Sequence, residues 1–256
     1  MHTKESLIEQ LKSFLPANAT VLMHSSCKSL GEMENGADTL LDALMEYFGE
    51  NGLIALPTHS WALVSKKQPV FDVLETPSNV GILPELFRKR EGVYRSWHPT
   101  HSIAAYGKRA QEFLAGDENC LTPCNRNSAW GRLYDWDAYV MLVGVELNRM
   151  TFFHGVEEWV DIPERVDMDP AHANRYVVIT PEGKRLPNYY QPHVNNPSDL
   201  FPKVDKQMLD SGAMKLVKLG DATVRLLRSN VSAQRADNVT PVNDHLSAPQ
   251  ADRPGS

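Results

Sequence analysis

The chain contains little cysteine and no long apolar run. Only three cysteines occur among its 256 residues, and an odd number in a chain of this length fits a reducing compartment without structural disulfides. The beginning of the sequence is polar, and no apolar stretch approaches the ~20 residues that a membrane-spanning helix requires. We therefore expect a cytoplasmic protein without a signal peptide or a membrane partner.

Positive charge is also in short supply. The formal net charge is −6 at pH 7, which argues against nucleic acid as a partner and would suit a cationic substrate. The hydrophobic fraction of 42% and the charged fraction of 23% are ordinary for a soluble globular protein. We expect residues 1–228 to form a single α/β domain, with 160–202 as an irregular, proline-rich covering segment and 229–256 as a loosely held or disordered tail.

The glycine-rich fingerprints of nucleotide-binding proteins are absent, so the sequence gives no support for ATP or NAD. Instead, the sequence HSSCKSLG, from His24 to Gly31, follows a short apolar strand. Consecutive small residues allow backbone N–H groups to converge on an anion, and Lys28 adds positive charge, so this loop would suit a phosphate group. A plain serine-rich turn is the competing interpretation, and Cys27 has little beside it that would activate a thiolate.

Apolar periodicity predicts an α/β fold at the start of the chain. Thr3 is a suitable cap for a first helix, residues 20–24 form a short strand, 37–49 a second amphipathic helix, and 53–57 another strand. Alternating helices and strands of this kind are typical of a sheet covered by helices. Later in the chain, residues 209–227 return to a helical spacing.

The central stretch of the chain combines a strand with a polar helix. Tyr139–Val145 is an almost continuous apolar run, typical of a strand buried on both faces, and a helix from Thr151 cannot continue through Pro163. His154 and Glu157 share one face of this helix. A neutral imidazole there would accept a proton while the carboxylate fixes its tautomer. A surface ion pair is the more ordinary reason for the same spacing.

Metal-binding patterns are weak. His98 and His101 form an H-x-x-H pair, but Pro99 prevents a regular helix across it. Cys120 and Cys124 have no second cysteine pair at a zinc-binding spacing. We expect no metal. The alternative that stays open is a metal-dependent hydrolase with the ligands His98, His101, His154 and Glu157.

Several motifs occur in an order that carries a family resemblance: HSSCKSLG, ALPTHS, TPSNVGILPELFRKREGVYRSWHPTHS, WGRLYDWDAYVMLVGV and TFFHGVEEW. In this order the chain resembles the antibiotic N-acetyltransferases typified by the aminoglycoside 3-N-acetyltransferases, closely over residues 5–160 and more loosely to about residue 230. The resemblance implies an α/β fold with a central mixed sheet flanked by helices, distinct from the GCN5-like acetyltransferases. It also implies acetyl-CoA as co-substrate and no metal.

The same resemblance implies roles for individual residues. The catalytic group is His154 as general base, Glu157 as its orienting partner and Ser102 beside the thioester. The residues that the resemblance assigns to the coenzyme are Ser25, Ser26, Lys28, Ser29, Gly31, His98, Ser102 and Ser128. The residues expected to contact the acceptor are Asn148, Thr151, Glu158 and Asp161.

Two departures from the family pattern concern the acceptor. Family members that act on aminoglycosides often carry an Asp where this chain has Asn148, and Arg149 adds a cation beside it. We expect direct transfer of an acetyl group to an amine of a small molecule, an aminoglycoside or another amino sugar-like acceptor, by a monomer or homodimer. A non-catalytic relative that only binds the coenzyme is the remaining alternative.

Overall fold

The structure is a computed structural model, and it describes residues 1–231. Its helices are α1 (Lys4–Lys12), α2 (Ala37–Gly49), α3 (Ile82–Phe87), α4 (Ala110–Leu114), α5 (Ala129–Asp135), α6 (Thr151–Trp159) and α7 (Asp205–Asp210). Its strands are β1 (Thr20–Ser25), β2 (Leu53–Pro57), β3 (Val70–Asp72), β4 (Tyr94–Arg95), β5 (Ile103–Gly107), β6 (Tyr139–Val143), β7 (Asn174–Ile179), β8 (Arg185–Tyr190), β9 (Met214–Leu219) and β10 (Ala222–Arg228). Three short 3-10 helices border the candidate site: Cys27–Leu30, Leu147–Arg149 and Pro197–Val204.

The main sheet is mixed, and its strands lie in the order β4-β5-β2-β1-β6-β10-β9. The three inner strands β2, β1 and β6 are parallel, whereas β5 and β10 pair with them in the antiparallel sense. Val21 and Met23 pack in one core with α1 and α2, while Leu22 packs in the opposite core with α5 and α6. Because helices cover both faces, the inner strands are apolar at almost every position. The predicted fold, a central mixed sheet flanked by helices, is confirmed.

The elements predicted near the beginning of the chain are confirmed to within one residue at most boundaries. The Thr3 side chain accepts a hydrogen bond from the Ser6 backbone N–H and caps α1. The two predicted strands and the second helix are β1, β2 and α2. Helix α6 begins at Thr151 as predicted but ends at Trp159, four residues before Pro163.

The expectation of an irregular segment at 160–202 is wrong for the part that forms β7 and β8. These strands make a hairpin, and β3 adds to it to give a second, three-stranded sheet in the order β3-β7-β8. Phe71, Tyr176, Val178 and Tyr190 pack together on one side of this sheet. Pro187 lies within β8 and is tolerated because β8 is an edge strand, where a missing N–H breaks no ladder.

The helical spacing at 209–227 also led to a wrong prediction. Most of this stretch forms β9 and β10, an antiparallel hairpin that extends the main sheet beyond β6. The hairpin turns at Gly220, whose φ of 56° is in the left-handed region that favours glycine. The apolar residues of this stretch recur at both three-residue and two-residue intervals, so their pattern fits a helix as well as a strand. The turn at Gly220 is the local feature that favours the hairpin.

Two further expectations concern the end of the chain and the membrane. Ser229 follows β10 and is buried, with its hydroxyl donating to the Leu133 carbonyl oxygen at 2.7 Å. The rest of the predicted tail, residues 232–256, lies outside the described residues. Within residues 1–231, no helix combines the length and the apolar character needed to cross a bilayer.

Candidate active site

The carboxyl ends of β1 and β6 set the position of the candidate site. These strands are parallel neighbours, so the loops that follow them leave the sheet at the same edge, where open α/β sheets place ligands. The first loop is the serine-rich segment 25–31, and the second, 144–150, leads into α6. Together with residues 192–199, they border an open cleft of about 1160 Å³.

His154 and Glu157 meet in the first turns of α6. His154 Nδ1 lies 2.9 Å from Glu157 Oε2. Because a carboxylate can only accept a hydrogen bond, Nδ1 carries the proton of the neutral imidazole and Nε2 presents a lone pair. Arg165 Nε donates to the same carboxylate oxygen at 2.8 Å, and the Arg165 side chain is only 4% exposed. The carboxylate is therefore held between a cation and the imidazole that it orients.

Ser198 and Arg165 are two site residues that no motif or spacing in the sequence indicates. Ser198 Oγ lies 2.9 Å from His154 Nε2, and Arg165 also donates to the Asn195 carbonyl oxygen. The Phe201 ring packs against the imidazole, with centroids 5.1 Å apart. Each of these residues lies outside α6 in a segment without local periodicity. Only the folded chain brings them to α6.

Histidines form much of the cleft wall. The histidines that line it are His24, His59, His101, His154 and His193. The rings of His59 and His101 are 4.9 Å apart, and those of His154 and His193 are 5.6 Å apart. Burial lowers the pKa of His24 to about 3 and lowers the pKa values of His59 and His101 well below the usual range. These three imidazoles are therefore neutral at pH 7, and the wall that they form carries no charge.

The serine-rich loop contributes four residues to the cleft wall: Ser25, Ser26, Cys27 and Lys28. Among the described residues, the buried Ser25 Oγ has no hydrogen-bond partner. The Ser29 hydroxyl points back into the loop and donates to the Ser26 carbonyl oxygen at 2.7 Å. The loop thus presents the Lys28 cation to the cleft and encloses the unpartnered Ser25 hydroxyl, while Ser29 stabilises its turn.

Gly31 and Gly144 allow close packing around the two loops: Gly31 against the turn between β9 and β10, and Gly144 against Ser29 of the serine-rich loop. Gly31 has a φ of 81°, and a Cβ there would lie 1.9 Å from the Asp221 carboxylate. Gly144 has a φ of 63°, and a Cβ there would lie 1.7 Å from Ser29 Oγ. Both positions therefore require glycine. Neither Gly31 nor Ser29 lines the cleft, so the structure gives them a supporting position in the predicted coenzyme loop.

Ser102 lies outside the cleft. It is completely buried, its hydroxyl donates to the Thr58 carbonyl oxygen at 2.9 Å, and it accepts from Arg95 Nε at 3.1 Å. Its only hydroxyl proton is already used, so Ser102 in this arrangement has none to donate to an oxyanion. The structure therefore places Ser102 behind the cleft wall, where its hydroxyl holds the Arg95 guanidinium.

Ser128 and His98 are likewise buried in supporting positions. Ser128 caps α5: its Oγ accepts from the Trp130 backbone N–H at 3.1 Å and donates to the Asn125 carbonyl oxygen at 2.6 Å. His98 Nδ1 accepts the His101 backbone N–H at 3.0 Å. Neither residue is part of the cleft wall. The structure places both behind the residues that face the cleft.

The four residues expected to contact the acceptor separate into two pairs. Asn148 and Thr151 line the cleft. Glu158 faces away from it, accepts the Cys124 backbone N–H at 2.8 Å and contacts His193 Nε2. Asp161 is exposed beyond the end of α6. The first pair is therefore close to His154 on the cleft side, and the second pair is not.

The ligands of the hydrolase alternative do not converge. Within residues 1–231, the one group of three potential ligands that come within 4.8 Å of one another is Cys124, Glu158 and His193. Arg165 Nη2 lies 2.8 Å from His193 Nδ1, and a guanidinium can only donate, so Nδ1 accepts and Nε2 carries the proton. A metal would need the opposite tautomer, in which Nδ1–H faces the guanidinium. The arrangement of Cys124, Glu158 and His193 is therefore better explained by the observed hydrogen bonds than by a bound metal ion.

Comparisons with known proteins identify the family of the chain. A family model described as aminoglycoside 3-N-acetyltransferase matches residues 22–240. The chain is 30% identical over 245 residues to the SPbeta prophage-derived aminoglycoside N(3')-acetyltransferase-like protein YokD of Bacillus subtilis (strain 168), covering 88% of this chain and 87% of that protein. It is 28% identical over 229 residues to an aminoglycoside N(3)-acetyltransferase IV from Salmonella sp, covering 88% of this chain and 82% of that protein.

Solved structures extend the comparison to the fold. The crystal structure of YokD has a TM-score of 0.78 to this chain at 28% identity, covering 93% of this chain and 98% of that one. A structure of AAC-IIIb in binary complex with CoASH has a TM-score of 0.79 at 22% identity, covering 94% and 98%, and this similarity concerns the fold alone. The chain belongs to the aminoglycoside 3-N-acetyltransferase family, a family of acyltransferase enzymes.

Proposed function

We propose that the protein transfers an acetyl group from acetyl-CoA directly to an amine of a small molecule, with His154 as general base. The observation that carries this proposal is the pairing of His154 with Glu157 at 2.9 Å on the wall of a cleft that the serine-rich loop borders. The imidazole and the loop share this cleft, so a base for the acceptor and a binding loop for the donor face one space. That arrangement is what a ternary-complex transfer requires.

The serine-rich loop is the proposed coenzyme site. Lys28 supplies a cation for a phosphate, and Ser25 and Ser26 lie beside it on the cleft wall. Ser29 and Gly31 support the turn from behind. The CoASH complex of AAC-IIIb, a protein with the same fold, is consistent with this donor.

In the proposed mechanism, the neutral amine takes the position of the Ser198 hydroxyl at His154 Nε2. The amine nitrogen attacks the thioester carbonyl carbon while Nε2 accepts its proton, and the C–S bond then breaks to release the thiolate of CoA. Glu157 keeps Nδ1 protonated and stabilises the imidazolium, and Arg165 fixes the carboxylate. We assign the stabilisation of the thioester oxyanion to a backbone N–H group.

The charges on the cleft wall favour an acceptor with few positive charges. The charged residues that line the cleft, apart from histidine, are Lys28, Arg149, Arg165 and Asp199. Arg165 is neutralised by Glu157, and Lys28 is assigned to the coenzyme, so Arg149 and Asp199 remain on the acceptor side. Because Arg149 is exposed, solvent screens its repulsion of a substrate cation about 6 Å away to on the order of 1 kcal/mol. The proposed acceptor is an amino sugar-like amine with low charge rather than a classical aminoglycoside.

We expect gentamicin and tobramycin to be poor acceptors compared with a monoamino sugar. Release of the CoA thiol, measured across this panel at two salt concentrations, gives kcat/KM for each amine. Arg149→Asp removes the repelling cation and should raise kcat/KM for gentamicin about tenfold or more, an effect that higher salt should reduce. A kcat/KM for gentamicin above about 10⁵ M⁻¹s⁻¹ with the unchanged protein would contradict the acceptor proposal, because that is the range of efficient enzymes.

The thiol of Cys27 is not expected to carry the acetyl group. Cys27 lines the cleft, but burial raises the pKa of its thiol, which disfavours the reactive thiolate. Cys27→Ala should therefore reduce activity much less than the loss of His154 does, and the kinetics should be sequential. Mass spectrometry of protein mixed with acetyl-CoA alone provides the direct check. An acetylated Cys27 peptide, or ping-pong kinetics that Cys27→Ala abolishes, would show that transfer passes through this thiol.

A further inference from the structure

Ser198, His154 and Glu157 form a continuous hydrogen-bonded chain. Ser198 Oγ lies 2.9 Å from His154 Nε2, and His154 Nδ1 lies 2.9 Å from Glu157 Oε2. A hydroxyl, an imidazole and a carboxylate in this order are the parts of a nucleophilic acyl-transfer triad: a nucleophile, its base and the group that orients the base. Direct transfer to an amine uses the imidazole and the carboxylate but gives the hydroxyl no task.

The proton positions also fit a nucleophile. Nδ1 carries the proton in the neutral imidazole because Glu157 can only accept, so Nε2 is the acceptor in its contact with Ser198. The Ser198 hydroxyl therefore has two acceptors for its single proton: it donates to Asn196 Oδ1, and rotation about the Cβ–Oγ bond turns the proton toward Nε2. Asn196 Oδ1 lies 2.5 Å from the same Oγ and can accept the hydroxyl proton when the imidazole is protonated. The hydroxyl thus has a partner in both protonation states of its base.

Several contacts, and not only the one with His154, hold the turn that carries Ser198 against α6. Arg165 binds the Glu157 carboxylate through Nε and the Asn195 carbonyl oxygen through a second nitrogen. Phe201 packs its ring against His154 and, at 5.2 Å between centroids, against Phe153. Contacts on both sides of Ser198 therefore hold its hydroxyl at the base, which is the preorganisation that nucleophilic catalysis requires.

We propose that Ser198 is the nucleophile of a second activity, the hydrolysis of the acetyl thioester when no acceptor amine occupies the cleft. The proposal depends on the coenzyme site proposed above. Ser198 Oγ attacks the acetyl carbonyl carbon as its proton passes to His154 Nε2. The Oγ–C bond forms, the C–S bond breaks, and the departing thiolate takes the proton from Nε2.

Water then completes the reaction. His154 accepts a proton from a water molecule that attacks the acetyl-Ser198 ester, and it returns that proton to Ser198 Oγ as the ester bond breaks. The products are acetate and CoA, and no oxidant or further reactant is needed. An acceptor amine at Nε2 displaces the Ser198 hydroxyl, so bound acceptor should suppress the hydrolysis.

The test compares the unchanged protein with Ser198→Ala, and uses Ser13→Ala as a matched control on α1. Two acyl donors are supplied without amine: acetyl-CoA, followed by thiol release, and p-nitrophenyl acetate, followed by nitrophenolate release. We expect Ser198→Ala to lower both hydrolysis rates at least about 100-fold, as the loss of a positioned catalytic group does, and Ser13→Ala to leave them unchanged. Acid-quenched unchanged protein should yield a peptide with one acetyl group on Ser198.

The two donors separate failure of this inference from failure of the proposed function. If the protein hydrolyses p-nitrophenyl acetate through Ser198 but never uses acetyl-CoA, the nucleophile is supported and the proposed function is wrong. If the protein acetylates amines from acetyl-CoA, but hydrolysis of both donors is absent or is equal in Ser198→Ala, Ser198 is not a nucleophile and the inference is overturned. Folding of Ser198→Ala is checked by thermal unfolding, and Ser198→Cys, which restores a nucleophile at the same position, should recover the acyl-enzyme.

Discussion

His154→Ala is expected to lower the rate of acetyl transfer by about 10²–10⁴ while the affinity for the coenzyme changes little. The factor is what the loss of a positioned general base typically costs. The affinity should persist because the proposed phosphate contacts come from the loop after β1, whereas His154 belongs to α6. Initial rates of thiol release with a saturating amine give the first quantity, and titration calorimetry with CoA gives the second.

Glu157→Gln separates the base from the group that orients it. The amide leaves the imidazole in place but removes the charge that stabilises the imidazolium, so the rate should fall by less than in His154→Ala. It also leaves the buried Arg165 guanidinium without its carboxylate partner, so thermal stability should fall as well. His172→Ala is a suitable control, because His172 pairs with Asp167 at an exposed position. Transfer at the full rate by His154→Ala would rule out His154 as the base.

The sequence predicts those parts of the fold in which local pattern and tertiary environment agree. Thr3 caps α1, and the apolar runs of β1 and β6 are buried on both faces of the sheet, so their composition alone identifies them. The stretch that forms β9 and β10 has apolar residues at intervals that suit a helix or a strand. There the pairing of β10 with β6 determines that the stretch forms strands, and the local sequence does not indicate this pairing.

The candidate site divides in the same way. His154 and Glu157 are three residues apart on one helix, so periodicity predicts their contact. Ser198 and Arg165 reach the same imidazole and carboxylate from segments without periodicity, and no spacing in the sequence indicates that they do. Ser102 shows the opposite case: its motif suggests a place beside the thioester, but its hydroxyl is buried and bonded to Thr58. A motif predicts proximity to a site better than it predicts which side chains face the ligand.

The free energy of unfolding is expected to fall by at least about 3 kcal/mol between pH 6.5 and pH 4.5. Burial lowers the pKa values of His24 and His98 from 6.5 to about 3. Within this window the unfolded chain therefore binds protons that the folded chain does not, and stability rises with pH at about 1.4 kcal/mol per unit for each such histidine. Asp117 acts in the opposite sense, because burial raises its pKa from 3.8 to about 6 and the folded chain takes up that proton first. This carboxyl offsets only part of the effect of His24 and His98, and burial lowers the pKa values of His59 and His101 as well, which adds to the fall.

Urea unfolding at intervals of half a pH unit measures how steeply the free energy of unfolding changes with pH. Two variants show which residues cause the change. His24→Gln removes one titrating group and should reduce the slope by about 1.4 kcal/mol per pH unit, whatever it does to stability at neutral pH. Asp117→Asn removes the opposing group and should make the slope steeper below pH 6. The window stops at pH 4.5 because carboxyl groups with lowered pKa values, such as Glu85 at about 2, begin to contribute below it. A stability that stays constant from pH 6.5 to 4.5 in all three proteins would show that His24 and His98 take up their protons as readily in the folded chain as in the unfolded one.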